Sequence, residues 1–107
     1  MATIPTTVID QAGTAINFVP ASGGGDQCAT GDDVKLLVKN GAGTSMTGTL
    51  VTPGTVDGDL AIADRIVTVA AGATAGVKVT DRYRDPATGL ASITWSSVTT
   101  VTVAVIR

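Results

Sequence analysis

Residues Gly89–Arg107 read GLASITWSSVTTVTVAVIR, and the spacing of their aliphatic side chains decides the fold. Ala91, Ile93 and Trp95 share one side of an extended chain, and Val101, Val103 and Val105 share one side of the next. Thr and Ser fill the alternate positions. A period of two with one dry and one wet side is the mark of a half-buried β-strand. An apolar last strand of this length, left as a free edge, would invite aggregation. It is therefore expected to lie centrally in a sheet or to pair with another chain.

The same pattern extends upstream. Val34, Leu36 and Val38 alternate with Lys35 and Lys39, and after a turn at Asn40–Gly43 (NGAG) a strand is expected over Met46–Thr52. PGTVDGD (Pro53–Asp59) reads as loop, Arg65–Ala70 as strand, AAGAT (Ala70–Thr74) as turn and GVKVT (Gly76–Thr80) as strand. RDPATG (Arg84–Gly89) carries Asp before Pro and a glycine where the chain must reverse. SGGGDQCATGDD (Ser22–Asp33) has no periodicity and reads as loop or linker. Before it, Thr6–Ile9 and Ala15–Val19 are candidate short strands, with Pro5 and Pro20 as boundaries. The expected class is all-β: a small single-domain β-sandwich, Ig-like or jelly-roll-like, of seven to eight short, mostly antiparallel strands. Residues 1–30 form an arm-like segment with a Gly-rich linker and 31–107 the sandwich; alternatively, residues 4–19 supply its first strands.

Composition agrees with strands. Thr, Val and Ile make up 39 of 107 residues, and all nine acidic residues are Asp. β-Branched side chains pack well on a pleated surface, and Asp favours turns over helix interiors. Net charge is −2 and the seven cations are scattered, which is no footprint for nucleic acid or anionic lipid. No apolar stretch approaches the roughly 18 residues needed to span a bilayer as a helix. Residues 1–20 lack a charged segment followed by an apolar one, so the expectation is a mature chain beginning near Met1 and made in a cytoplasm. Cys28 is the one cysteine and cannot form an internal disulfide.

Candidate chemistry is sparse. There is no histidine, which removes His-activated nucleophiles, His metal ligation and a switch near neutral pH. Cys28 lacks an activating partner in sequence and reads as an incidental small residue. DGDLAIAD (Asp57–Asp64) and GDD (Gly31–Asp33) cluster carboxylates as a calcium loop would, but without a terminal Glu they read as solvated turns. Asp81 and Asp85 flank Arg82-Tyr83-Arg84; ion pairing across a loop is expected there rather than the acid and base of a glycosidase. No catalytic, cofactor-binding or metal residue is assigned. Tyr and Arg are enriched where partners bind, so Arg82, Tyr83 and Arg84 are candidate contacts, although a tyrosine tucked over the sandwich end is an equal reading. Trp95, by its alternation with Ile93 and Ala91, is expected in the core.

Three motifs carry a family resemblance: G.LA.ADR.VTV.AG.T (Gly58–Thr74), Y.DP.TGL (Tyr83–Leu90) and V..VTVAV.R (Val98–Arg107). Over Thr52–Arg107 the chain resembles small head decoration, or capsid-cementing, proteins of tailed bacteriophages infecting actinobacteria. It departs from the usual pattern at Ala70, where proline is common, and at Asp59, which lengthens a loop. The resemblance implies a structural virion protein on the capsid exterior, made in the bacterial host cytoplasm, that binds the phage major capsid protein and stabilises the assembled shell. It implies no enzymatic activity, no cofactor, and no nucleic acid or membrane partner, and a homo-oligomer with the trimer favoured over the monomer. Loops and the N-terminal segment would make the contacts, the latter including Ile4, Pro5 and Phe18. Ordering such an arm costs about 1–2 kcal/mol per residue, offset by contacts repeated over many copies. The alternatives are a carbohydrate- or surface-binding β-sandwich module, for which Phe18, Tyr83 and Trp95 are the only aromatics, and a phage neck or tail component.

Overall fold

A computed structural model describes residues 2–107, with the backbone alone at Val56. Seven strands have three residues or more: β4 (Asp26–Cys28), β5 (Lys35–Asn40), β6 (Met46–Leu50), β9 (Arg65–Val69), β10 (Thr74–Lys78), β11 (Ala91–Trp95) and β12 (Val101–Ile106). Five are two-residue pairings: β1 (Ala2–Thr3), β2 (Thr6–Thr7), β3 (Val19–Pro20), β7 (Thr55–Val56) and β8 (Leu60–Ala61). The only helical element among the described residues is a 3₁₀ turn at Asp81–Tyr83. One sheet has the order β1-β4-β11-β6-β9; the other runs β10-β5-β12-β2, with β3 also on β12. The two sheets stack as a β-sandwich, a slab of 42 × 35 × 20 Å.

Among the longer strands, the chain changes sheet at every step except β6 to β9. The inward side chains of both sheets therefore meet in one core. Leu36, Val38, Val101, Val103 and Val105 from one sheet face Met46, Leu50, Val69, Ala91 and Ile93 from the other, all buried. Each fully buried Val, Leu or Ile side chain contributes about 1.5–3 kcal/mol relative to exposure. The strand expected to be central is so. β12 pairs along its length with β5 and on its far side with β2, in parallel, and β3.

The N-terminal stretch supplies strands to both sheets. β1 and β4 lie in one, β2 and β3 in the other, and Ile4 between them is 3% exposed. Residue 30 is thus no break in the hydrogen-bonded framework. The Ser22–Asp33 stretch, expected as loop, contains β4, whose inward residues are Asp26 and Cys28. They are buried without being aliphatic, which is why periodicity passes over them. Pro53–Asp59 likewise is more than loop: β7 and β8 pair around Asp57 and Gly58, both at positive φ, 55° and 82°. Asp-Gly suits such a reversal because both residues tolerate the left-handed region.

Two buried polar side chains brace the sandwich, Asn40 between the sheets and Asp26 within one of them. Asn40, 1% exposed at the end of β5, donates from Nδ2 to the carbonyls of Thr44 (2.9 Å) and, across the sandwich, Val69 (3.1 Å), while its Oδ1 accepts from Ala42 N–H (3.0 Å). Asp26 Oδ2 accepts from Trp95 Nε1 (2.8 Å) and Ser22 N–H (3.1 Å). Trp95 in turn lies flat on Gly48, where a Cβ would come within 2.7 Å of the ring. Trp95 is half-buried and packs against the core.

Two substitutions test this packing. Asn40→Ala removes the buried amide that ties the end of β5 to Val69 across the sandwich and leaves Ala42 N–H without its acceptor, and is expected to cost about 1–3 kcal/mol in urea unfolding. Gly48→Ala must displace the Trp95 ring; a loss of about 1–3 kcal/mol is expected with an altered Trp95 emission, and an unchanged spectrum at full stability would contradict the contact.

Candidate functional site

The open side of the sandwich lies where β9, the edge of one sheet, meets β10, the edge of the other. The two strands leave a common turn at Ala70–Ala73, closed by Ala73 N–H to Ala70 C=O (3.0 Å) with Gly72 at φ 70°. Arg65 at the start of β9 and Lys78 at the end of β10 are the residues of these strands farthest from that turn, and the 3₁₀ turn sits beside them. Its Tyr83 is 8% exposed and its hydroxyl accepts from Arg65 Nε at 3.2 Å. Thr30 Oγ1 donates to Asp81 Oδ1 (2.8 Å), tying the turn to the body.

Two open hollows adjoin there. One, of about 340 Å³, is lined by Thr52, Ile62, Asp64 and Ile66; the other, of about 320 Å³, by Val77, Lys78 and Thr80. Arg65, Arg82 and Tyr83 line both. Three of the chain's seven cations therefore gather in one trough of a protein whose net charge is −2. The one carboxylate lining it, Asp64, is engaged by Thr52 N–H at 2.8 Å. The apolar side of the trough carries Ile66, 65% exposed.

The candidate contacts divide between opposite sides of the slab. Tyr83 is tucked over the sandwich end, while Arg82 and Arg84 are exposed. Ile4 and Pro5 lie between β1 and β2, at the edges farthest from β9 and β10 in each sheet's order. Ile4 is core, Pro5 is exposed, and Phe18 is half-buried with Lys39 Nζ 5.9 Å from its ring centre. Arg65 and Lys78 were not foreseen as site residues; alternation along each strand places them at strand ends but does not bring the strands together. The ion pairs expected around Arg82-Tyr83-Arg84 give way to other partners: Asp81 is held by Thr30, and Asp85 Oδ1 accepts from Ala87 N–H (2.9 Å) to build its turn.

The interior gap between Leu36, Leu50, Ile93 and Trp95 is about 10 Å³, at the lower limit for a single water. Among the described residues no three Asp or Cys side chains are placed to hold a metal ion. No helix of the structure is long and apolar enough to cross a membrane among those residues. Cys28 is fully buried, and burial, with Asp26 nearby as the smaller cause, pushes its thiol up to about 12. Comparison with known protein families, curated proteins and solved structures finds no match.

The thiol supplies a test. A maleimide or disulfide reagent at pH 8 is expected to leave native Cys28 unmodified and to label it on unfolding, since the thiolate is the nucleophile. Because the folded value lies above the ordinary 9.0, this group's stabilising share is intact below about pH 9 and is lost as pH rises toward 12. Cys28→Ala is expected to flatten that alkaline decline in thermal melts.

Proposed function

We propose that this chain is a structural virion protein, a phage head decoration protein that binds the assembled capsid shell and reinforces it. One observation carries the reading. The first of the three resembling motifs, Gly58–Thr74, runs through the β8 strand, the whole of β9 and the turn into β10, and Tyr83 of the second motif lies beside Arg65. Asp64 and Arg65 of the first motif and Tyr83 of the second thus line the trough, while the third motif, Val98–Arg107, supplies the central strand β12. Its hollows are open and broad rather than enclosing, as suits a macromolecular surface better than a small substrate. The slab behind them is a rigid support. No catalytic step is assigned, and the chain acts by contact area multiplied over copies.

A sugar-binding module is the weaker reading, since such sites stack rings on exposed aromatics. Here Tyr83 and Trp95 turn into the sandwich and Phe18 sits beside Lys39.

Mixing the purified chain with heads of its phage assembled without it is expected to give co-sedimentation and a higher temperature of head disruption. Free chain with unaltered heads would overturn the proposal, and binding on a glycan array in its place would favour the module.

A further inference from the structure

We infer that the free edge of β9 is a strand-addition site for an acidic extended segment of a partner protein. This inference stands on the edge and its charge, whatever the partner's identity.

The direction of the edge's backbone groups follows from its neighbours. Ser96 N–H donates to Thr47 C=O (2.9 Å) and Val51 N–H to Ser92 C=O (3.0 Å), so Thr47, Thr49 and Val51 face β11. Met46, Gly48 and Leu50 then face β9, where their register partners are Val69, Val67 and Arg65. In an antiparallel ladder the bonding residues alternate, which leaves Ile66 and Thr68 with amide and carbonyl directed away from the sheet. No described strand takes them up, since β9 ends the sheet. Natural edges are usually blunted by a proline, a bulge or a central lysine. β9, RIVTV, has none of these; its exposed side chains are Ile66, Thr68 and, at its start, Arg65.

Charge names the occupant. A strand laid beside β9 would turn alternate side chains into the trough, toward Arg65, Arg82 and Lys78, and the others outward beside Ile66 and Thr68. Against these three cations the trough sets one carboxylate, Asp64, whose Oδ1 accepts from Thr52 N–H. Carboxylates at the inward positions that reach Arg65, Arg82 and Lys78, with aliphatic residues at the positions between them beside Ile66, suit both faces at that end of the strand. Main-chain bonds supply the affinity and the alternation the selectivity, as in other strand-addition complexes. The β10 edge is less suited, because it has Gly76 in its middle.

The test uses the whole chain and a short capped peptide of alternating Glu and Val, followed by amide NMR. Expected are shifts concentrated at Arg65–Thr68 and Arg82, binding roughly tenfold stronger than to the matching Lys/Val peptide, and weakening with salt. Thr68→Pro removes an outward N–H at an edge position where proline is tolerated, and is expected to abolish binding while the melt is retained. If that variant fails to fold, Arg82→Ser on the exposed turn decides, with a several-fold loss expected. No binding of the Glu/Val peptide, equal binding of the Lys/Val peptide, or binding untouched by the deciding variant would overturn the inference.

Discussion

The hydrogen bonds on both sides of β12 are the constraint on which the rest of the sandwich depends. On one side β5 matches it residue for residue from Val101–Asn40 to Ile106–Lys35. On the other, β2 and β3 pair with its two ends, reinforced by Arg107 N–H to Thr7 C=O (3.0 Å) and Ala21 N–H to Val101 C=O (3.0 Å). A strand saturated on both sides presents no edge, so its continuous valine face can be fully apolar without inviting association. This placement also pulls the N-terminal stretch into the body. With it come Ile4, Ala21 and the buried Asp26 and Cys28.

The opposite side of the slab is organised by what is missing from it. β9 and β10 are each bonded on one side only, and where they part, Tyr83 closes the core while Arg65, Arg82 and Lys78 stand around it. Tyr83 combines the two roles: its ring is interior and its hydroxyl reaches the rim, where it fixes the Arg65 guanidinium. A buried aromatic body with a polar tip is the ordinary use of tyrosine at such a boundary. The trough is thus held from beneath by the hydrophobic core.

Alternation made β5, β11 and β12 legible, because Leu36, Val38, Ile93 and the three valines of the last strand keep period two, broken only by Leu37 and Ala104 among the positions between them. Asp85-Pro86 and Gly89 made the preceding turn legible in the same way. β4 escaped because its inward positions hold Asp26 and Cys28 just after a run of glycines; the burial of Asp26 depends on Trp95 and Ser22 donors that are distant or non-periodic. Arg65 and Lys78 escaped for a different reason. Side-chain pattern tells which face of a strand is wet, but which strands end up at the two edges is settled by pairing between residues far apart in sequence.

β2 and β3 lie against β12, whose residues follow them by some eighty to a hundred positions in the chain. During translation, therefore, the early segments emerge with no neighbour to accept their amides, and the layer they belong to cannot close until the ribosome has delivered Val101–Ile106. Assembly of this molecule is a late, cooperative event in the life of the nascent polypeptide, and until then its apolar strands depend on dilution or chaperones to stay apart.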